Sequence, residues 1–370
     1  MTHSQRRDKL SERLGAADLD AMLVTDPINV RYLSGFTGSN AAVLVFAGGE
    51  SPVLATDGRY RTQAAQQAPD LGVVIEQTCS RYLVGRAATD GVHRLGFESH
   101  VVTVDGFDTL SRALDPTAST ELVRAPGTVE ALREVKDAGE VALLRLACET
   151  ADAALTDLVA HGGLRPGRTE REVGRELESL MLDHGADGVA FETIVATGVN
   201  SAIPHHRPTD AVLAAGDFVK IDFGALVGGY HSDMTRTFVL RSAAQWQLEI
   251  YQLVATAQKA GRDALAPGAC LRDVDAAARA VIADAGYGEH FGHGLGHGVG
   301  LQIHEAPGIN ALAAGTLLAG SAVTVEPGVY LPDRGGVRIE DTLVVGSGAS
   351  ETPGQTPELL TRFPKELAIV

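Results

Sequence analysis

The sequence predicts an α+β protein of two domains, in which a smaller α/β domain precedes a larger α+β domain. Its 370 residues exceed the size at which a single hydrophobic core usually stops growing. The first third alternates short apolar runs with helical segments, whereas the remainder combines amphipathic helices with strands joined by glycine turns. The break at Ala125-Pro126-Gly127 marks the boundary, so we predict domains of residues 1–126 and 127–370.

Strands and helices alternate along the first domain. Short apolar runs predict the strands, and apolar residues at helical spacing predict the helices. Asp26-Pro27 is typical of a helix start, and Gly35 is typical of a helix end. The predicted strands are residues 20–25, 41–46, 52–56, 73–76, 94–98 and 121–125, and the predicted helices are residues 5–17, 27–34, 58–68, 81–88 and 104–114.

The second domain mixes long helices with strands. One uninterrupted helix is predicted from Val129 to His161, where Gly162-Gly163 ends it. Thr169 and Glu172 form a capping-box pattern that opens the next helix, which ends near Gly185. Two further amphipathic helices are predicted at residues 246–265 and 271–285, and strands at residues 193–196, 218–223, 232–240, 323–326 and 337–345. This combination is typical of an α+β domain.

Composition excludes several classes of partner. Lys and Arg number 31 against 47 Asp and Glu, and no basic run accompanies the net charge of −16, so nucleic acid is not an expected partner. No stretch approaches the ~18 apolar residues of a transmembrane helix, and the N-terminus is polar, so we expect no membrane partner. The three cysteines are widely spaced and form no C-x-x-C pair, which is typical of a reducing compartment, and we predict a cytoplasmic protein.

The stretch around Gly228-Gly229 predicts a hairpin that brings two carboxylates together. Two apolar runs flank the glycine pair, and Asp222 and Asp233 lie eleven residues apart with their midpoint beside the turn. The two aspartates are therefore opposite or diagonal on one face, where facing Cβ atoms lie roughly 4.5–5.5 Å apart. Carboxylates that close repel unless a cation lies between them, so the pattern indicates either a metal site or a solvated hairpin.

Three later stretches carry further chemistry-bearing side chains. Gly292–Gly300 reads GHGLGHGVG; it lacks the G-x-G-x-x-G and G-K-[ST] patterns of phosphate loops, and its glycines would let the backbone bring His293 and His297 near a site. In VTVEPGVY and VRIEDT, strand alternation points Glu326 and Glu340 away from the apolar face.

Together these stretches supply Asp222, Asp233, His297, Glu326 and Glu340. Carboxylates with one imidazole suit Mn²⁺, Co²⁺, Zn²⁺ or Fe²⁺ better than Ca²⁺. Four carboxylates carry enough negative charge to neutralise two divalent ions. Two such ions about 3.5–4 Å apart would generate a hydroxide at neutral pH and polarise a carbonyl group.

The combined pattern resembles the pita-bread metallopeptidases, and most closely those that cleave next to proline, aminopeptidase P and prolidase (Xaa-Pro dipeptidase). The resemblance implies a C-terminal pita-bread (creatinase/aminopeptidase) domain preceded by a smaller creatinase-like α/β domain. It covers both domains, because NVRYLSGF at residues 29–36 is similar to the start of the N-terminal domain in that family. The other matching stretches are PHHRPTDAVLAAGDFVKIDFGA, GYHSDMTRTF, HGLGHGVGLQIHEAP, TVEPGVY and GVRIEDT.

The resemblance implies two divalent metal ions per chain, with manganese as the first expectation and cobalt, zinc or iron as alternatives. By this resemblance Asp222 ligates one ion and Asp233 bridges both. His297 and Glu326 ligate the second ion, and Glu340 bridges the pair from the far side.

The resemblance also implies which residues act on the substrate. Glu326 would carry the proton of the attacking water to the leaving prolyl nitrogen, and His205 would stabilise the tetrahedral intermediate. Arg338 would support the bridging glutamate or the substrate carboxylate. The implied catalytic residues are His205, His304, Glu326 and Arg338, and the implied substrate-binding residues are His206 and His293.

The implied activity is hydrolysis of the bond before proline in di- or oligopeptides, by a homodimer. A methionine aminopeptidase is disfavoured by the N-terminal α/β domain. A creatinase-like hydrolase that works without metals, or a non-catalytic relative that binds peptides or small amides, is disfavoured because all five ligands are present. The choice between aminopeptidase and dipeptidase activity remains open. Many prolidases have an arginine that binds the dipeptide carboxylate at the position where this chain has Gly308. The absence of that side chain favours longer peptides as substrates.

Overall fold

The computed structural model describes residues 1–115, 117, 119–346 and 356–370. The chain divides into two compact units, Met1–Arg133 and Glu134–Val370. This division lies a few residues beyond the boundary predicted after residue 126. No described helix combines the length and the apolar character that crossing a membrane requires.

The first unit is built on a six-stranded mixed sheet. Its strand order is β4-β3-β2-β1-β5-β6; the pairs β1–β5, β5–β6 and β3–β4 are parallel, and β1–β2 and β2–β3 are antiparallel. The strands are β1 Ala21–Val24, β2 Ala41–Phe46, β3 Val53–Thr56, β4 Gly72–Ile75, β5 Arg94–Phe97 and β6 Glu121–Arg124. The helices are α1 His3–Ala16, α2 Pro27–Ser34, α3 Arg61–Gln67, α4 Cys79–Thr89, α5 Val104–Ser111 and α6 Glu130–Arg133, with a short 3-10 turn at Gly58–Tyr60.

Local sequence signals explain where helices of the first unit begin and end. The Asp26 side chain accepts a hydrogen bond from the Ile28 N–H at 2.7 Å, and Pro27 occupies the first helical position of α2. Gly35 ends this helix with φ 78°, a left-handed conformation that glycine adopts without strain. These contacts confirm the helix start and end predicted from the sequence.

The second unit combines two helix pairs with antiparallel sheets, as an α+β domain should. Its helices are α7 Ala138–Ala160, α8 Glu170–Asp183, α9 Gln245–Asp263 and α10 Leu271–Asp284, with 3-10 turns at Gly198–Ala202 and Gly288–His290. Its strands are β7 Gly188–Val189, β8 Ile194–Thr197, β9 Phe218–Phe223, β10 Ala225–Val227, β11 Tyr230–His231, β12 Met234–Val239, β13 Gly296–Gly298, β14 Glu305–Ile309, β15 Ala322–Val325, β16 Gly328–Leu331, β17 Gly335–Arg338, β18 Asp341–Val344 and β19 Glu358–Leu359. The described sheets have the orders β12-β9-β8, β11-β10-β7, β14-β13-β15-β18-β19 and β16-β17.

The prediction of one helix from Val129 to His161 is wrong, because the chain leaves the helical conformation between α6 and α7. Asp137 accepts hydrogen bonds from the Gly139 and Glu140 N–H groups at 2.8 and 3.0 Å, and Glu140 accepts one from the Asp137 N–H at 2.9 Å. This reciprocal capping box starts a new helix. The D-x-x-E spacing was visible in the sequence and is the signal that the apolar periodicity obscured.

Two apolar cores support the strands that carry the candidate site. One core packs α7 and α8 side chains such as Leu155 and Leu177 against Ile221 of β9. The other packs α9 and α10 side chains with Val325 of β15 and Ile339 beside β17. Each fully buried side chain of this kind contributes roughly 1.5–3 kcal/mol, so the strands that present the acidic residues are firmly held from both cores.

Candidate metal centre

The paired aspartates lie on adjacent antiparallel strands. Asp222 of β9 pairs with Thr235 of β12 in the ladder, and Asp233 precedes Thr235 by two residues. Asp233 therefore lies on the same face as Asp222, diagonal to it. Both aspartates line the same cavity.

The tip of this hairpin leaves the sheet that carries its base. Strands β10 and β11 continue the hairpin and pair with each other and with β7. Gly228 and Gly229 have φ angles of 56° and 83°, the two positive values that a type I′ turn requires. At the base of the tip, a Cβ on Gly224 would lie 1.9 Å from the Ser232 carbonyl oxygen, so only glycine allows this close approach next to Asp233.

Glu340 lies between two strands rather than within one. The strand predicted at residues 337–345 is interrupted, and Glu340 stands between β17 and β18. Its N–H donates to the Thr235 carbonyl at 3.1 Å, and the Thr235 hydroxyl donates to Oε2 at 2.7 Å. The break in the strand thus turns a buried carboxylate towards the aspartate hairpin.

His297 and Glu326 come from strands of a different sheet. The His297 N–H donates to the Thr324 hydroxyl at 3.1 Å, and the Glu326 N–H donates to the Leu295 carbonyl at 2.8 Å. His297 Nδ1 lies 3.0 Å from the Gly298 carbonyl, which can only accept, so Nδ1 carries the proton. This tautomer leaves a lone pair on Nε2, which lies 3.5 Å from a carboxylate oxygen of Asp233 and of Glu326.

All five predicted ligands meet in one cavity. Ligand atoms of Asp233, His297 and Glu340 lie within 4.8 Å of one another, a spacing that one cation can span. Asp222 and Glu326 line the same cavity. The remaining lining residues are Phe191, Glu192, Thr193, Ile194, His205, His206, Arg207, Ile303 and His304.

Buried negative charge dominates the electrostatics of this cavity. Burial, and then the charges of Asp222 and Glu326, raise the pKa of Asp233 well above its usual value. Burial, and then Asp233, Glu326 and Asp222, do the same to the pKa of Glu340. Burial raises the pKa of Glu326 to about 8; the charge of Arg338 opposes this increase and that of Asp222 adds to it. A cluster of carboxylates is ionised in such a place only with cations beside it.

Two further features fit a divalent cation. Asp222 Oδ1 is buried and has no hydrogen-bond partner among the described residues, which is unusual for a carboxylate oxygen and leaves it available as a ligand. Burial lowers the pKa of His297 to about 4, although the hydrogen bond to Gly298 opposes that shift. The imidazole is therefore neutral at pH 7, the form that binds metal ions.

Arg338 is the buried cation beside the acidic residues. Its Nη2 donates to Asp222 Oδ2, its Nε donates to the Thr235 hydroxyl at 3.0 Å, and its Nη1 donates to the Tyr330 hydroxyl at 2.8 Å and the Pro204 carbonyl at 3.1 Å. The sequence suggested support for Glu340 or for a substrate carboxylate. The guanidinium, with 2% of its side chain exposed, donates to Asp222, and it is linked to Glu340 through the Thr235 hydroxyl.

The four remaining histidines occupy different environments. The His304 ring meets the His297 ring edge-on with centroids 4.5 Å apart, and His205 is exposed at the cavity wall. His206 is buried, with Nε2 2.8 Å from a Glu170 carboxylate oxygen. His293 Nε2 lies 2.9 Å from the Tyr330 hydroxyl. His205, His206 and His304 thus line the cavity, and the rings of His206 and His293 are hydrogen-bonded to protein groups.

Several residues that surround the site were not predicted from the sequence. Tyr330 links His293 to Arg338, and Glu170 holds His206. Lys220 is fully buried in β9, and a lone lysine in the apolar run FVKIDF was the signal that could have indicated it. Arg207 and Glu192 pair with each other at the cavity wall. Arg207 and Glu192 belong to no recognisable sequence motif, so no signal in the sequence indicates this pair.

Comparisons with known proteins agree with this geometry. Residues 142–347 match the sequence model of the family described as Metallopeptidase family M24, and residues 6–135 match the Creatinase/Prolidase N-terminal domain. The uncharacterized peptidase YqhT of Bacillus subtilis is 38% identical over 98% of this chain and 99% of its own length. The solved Xaa-Pro dipeptidase from Bacillus anthracis has a TM-score of 0.92 and 37% identity, covering 100% of both chains. An X-Pro aminopeptidase structure from Thermotoga maritima has a TM-score of 0.87 and 32% identity, covering 98% of this chain and 99% of that one.

Proposed function

This chain belongs to metallopeptidase family M24, and on that premise we propose that it hydrolyses the peptide bond that precedes proline. The observation that carries the proposal is the convergence of four carboxylates and a neutral imidazole in one cavity that three further histidines line. The full-length similarity to a dipeptidase that is named for Xaa-Pro substrates supports the choice of substrate.

We propose that the five acidic and imidazole groups hold two divalent ions, manganese foremost. Asp233 and Glu340 would bind both ions. Asp222 would bind one ion, and His297 and Glu326 would bind the other. Bound ions of this kind supply Lewis acidity, which lowers the pKa of water and polarises a carbonyl group. The unpartnered Asp222 Oδ1 and the neutral His297 ring fit this assignment.

Glu326 is the proposed proton carrier. It lies beside His297 in the cavity, and burial places its pKa near 8 in the absence of cations. A carboxylate within hydrogen-bond reach of the attacking water can accept its proton and later return it. Glu326 would take the proton of the attacking water and deliver it to the prolyl nitrogen, which needs a proton to leave.

His205 and His304 are the proposed donors to the substrate carbonyl oxygen. Both line the cavity, and burial lowers the pKa of His304, so its ring is neutral at pH 7 and still carries one N–H. Donors aimed at the oxygen on which charge develops stabilise the transition state more than the ground state. His206 and His293 would act indirectly, because their rings are bonded to Glu170 and Tyr330.

The apolar part of the cavity suits a proline ring. Phe191, Ile194 and Ile303 line it together with the histidines. An Xaa-Pro bond is a tertiary amide without an N–H, so a site that grips peptides through that N–H gains nothing from it. A site that engages only the carbonyl oxygen and packs the ring against apolar side chains avoids this loss.

Arg207 is the proposed partner of a free substrate carboxylate, which favours dipeptides. It lines the cavity and pairs with Glu192, and the two side chains are 76% and 71% exposed. Exposed ion pairs contribute little, so the guanidinium can exchange Glu192 for a peptide carboxylate. Gly308, in contrast, lies on β14 opposite His297 and offers no side chain. Gly308 alone predicts a preference for longer peptides. With Arg207 at the cavity wall, we propose a preference for dipeptides instead.

The oligomeric state is proposed on the resemblance, and the compartment on the cysteines. We propose a homodimer that works in the cytoplasm. The three cysteines are all free thiols, which suits a reducing compartment. Light scattering on the purified protein tests the dimer.

A peptide panel tests the function. Metal-stripped protein is reloaded with Mn²⁺, and hydrolysis of Ala-Pro, Ala-Pro-Ala and the matched Ala-Ala and Ala-Ala-Ala peptides is followed. We expect cleavage of the proline peptides only, and no activity before reloading. Cleavage of Ala-Ala in preference to Ala-Pro, or full activity without metal, would overturn the proposal.

A further inference from the structure

Lys220 is a buried lysine in the centre of β9. Its side chain is 0% exposed, whereas lysine is among the residue types that are almost never fully buried. Burying an ammonium group is costly unless polar partners replace the water that it loses. The partners of Lys220 therefore indicate the role of this side chain in the fold.

Those partners are two consecutive backbone carbonyls and one aromatic ring. Nζ donates to the Ile203 carbonyl at 2.6 Å and to the Pro204 carbonyl at 3.4 Å. It also lies 5.0 Å from the centroid of the Tyr330 ring, within cation–π range. The Lys220 amino group thus holds the backbone of the segment that leads into His205.

His205 depends on its backbone for its position. Its ring is exposed at the cavity wall, and in the described part of the chain no hydrogen bond involves that ring. On one side of it, Arg338 Nη1 also donates to the Pro204 carbonyl at 3.1 Å. On the other side, Glu170 holds the His206 ring at 2.8 Å. Lys220, Arg338 and Glu170 are therefore the buried polar side chains that fix the segment around His205.

We propose that Lys220 is a positioning residue for His205, acting through the carbonyls of Ile203 and Pro204. The inference rests on the proposed function, in which His205 donates to the substrate carbonyl oxygen. A displacement of about 1 Å at a catalytic group lowers rates by about 10²-fold. Lys220→Met keeps an unbranched side chain of similar shape and removes the Nζ donors, so kcat should fall by roughly 10- to 100-fold with little change in KM.

A double-mutant cycle tests whether Lys220 acts through His205. We expect Lys220→Met combined with His205→Ala to be no slower than His205→Ala alone, because a histidine that is absent cannot be misplaced. Lys220→Arg, which retains a charged donor, should recover part of the rate. A double variant slowed by the product of the two single effects would overturn the proposal. If the methionine variant does not fold, the same cycle is measured with Lys220→Gln.

Two controls separate positioning from loss of stability or of metal. Arg7→Met removes another buried basic side chain that donates to a backbone carbonyl, that of Leu33 at 2.7 Å, and should lower stability without coupling to His205→Ala. Metal content, measured by mass spectrometry, should be the same in the Lys220 variants and the wild type. A Lys220→Met protein that has lost its metal would contradict the inference, because the rate loss would then come from Asp222.

An activity-independent measurement separates this inference from the proposed function. In ¹⁵N-histidine-labelled protein, the His205 ring signal, assigned by its absence in His205→Ala, should shift in Lys220→Met and not in Arg7→Met. An unshifted signal overturns the role of Lys220 even if proline peptides are cleaved. A shifted signal in a protein that cleaves no proline peptide would leave the positioning intact and overturn the proposed function.

Discussion

Arg338 donates a hydrogen bond to Asp222 where both side chains are buried, with 2% and 11% of them exposed. This pair places one positive charge among four carboxylates. Asp222 Oδ2 is thereby satisfied, whereas its Oδ1 is left without a hydrogen-bond partner. The arginine thus orients the carboxylate so that its free oxygen is the one available to a cation.

Arg338→Met should destabilise the metal-free protein more than the metal-loaded protein. Removing one partner of a buried ion pair usually costs ~3–5 kcal/mol of the free energy of unfolding. In the loaded protein a cation on Asp222 would neutralise the same carboxylate, so the loss should be smaller. Urea unfolding with and without Mn²⁺ measures both values, and Arg334→Met, which removes a guanidinium stacked on Trp246, is the control. Equal losses in the two forms would contradict the orienting role.

Asp233→Asn should reduce metal binding at both sites rather than at one. The ligand atoms of Asp233 lie within 4.8 Å of those of His297 and Glu340, so a shared position is expected for it. Replacing one carboxylate oxygen by an amide removes charge and a strong ligand from both ions. Metal per chain, measured after dialysis, should fall from about two towards zero. Asp210→Asn, at an exposed aspartate paired with Arg171, is the control.

In the metal-free protein, the protonated Glu326 carboxyl should contribute to the free energy of unfolding at low pH. This contribution should be lost as the pH rises. The folded pKa of Glu326 is raised from 4.5 to about 8, so its contribution is present below about pH 4.5 and disappears as the pH rises through 8. The free energy of unfolding of Glu326→Gln should therefore rise relative to that of the wild type as the pH increases from about 4.5 to 8. Thermal unfolding at several pH values in chelator measures the difference. A constant difference between the two proteins would contradict the raised pKa.

His205→Ala should lower kcat by roughly 10²–10³ while leaving the metal content unchanged, the range for the loss of one oxyanion donor. The ring lines the cavity and is not among the groups assigned as ligands. His161→Ala, at an exposed histidine after α7, is the matched control and should behave as the wild type. A collapse of metal content in His205→Ala would mean that the ring is a ligand.

The sequence was sufficient to predict the two-domain architecture and to select the five acidic and imidazole residues that the structure brings together. These residues stand in short local patterns, and alternation along strands already limits where Asp222 and Glu326 can point. What surrounds them depends on contacts between distant parts of the chain. Lys220 reaches the carbonyls of residues 203 and 204, and Arg338 reaches Asp222, and neither contact has a spacing rule. The break in the helix before Asp137 was not predicted because two local signals oppose each other there. The apolar periodicity favours a continuous helix, whereas the D-x-x-E capping box favours a new helix start.

Substrate length should depend on Arg207. If the guanidinium exchanges Glu192 for the free carboxylate of an Xaa-Pro dipeptide, it gains a charge-assisted hydrogen bond that contributes about 1.5–3 kcal/mol. Arg207→Ala should therefore lower kcat/KM for Ala-Pro by roughly 10- to 100-fold and change it little for Ala-Pro-amide, which lacks the carboxylate. Glu192→Gln, which frees the arginine, should not lower kcat/KM for the dipeptide, and Arg171→Ala controls for the loss of an exposed arginine elsewhere. A wild-type preference of tenfold or more for Ala-Pro-Ala over Ala-Pro would show that the missing side chain at Gly308 decides the substrate, and that the enzyme is an aminopeptidase.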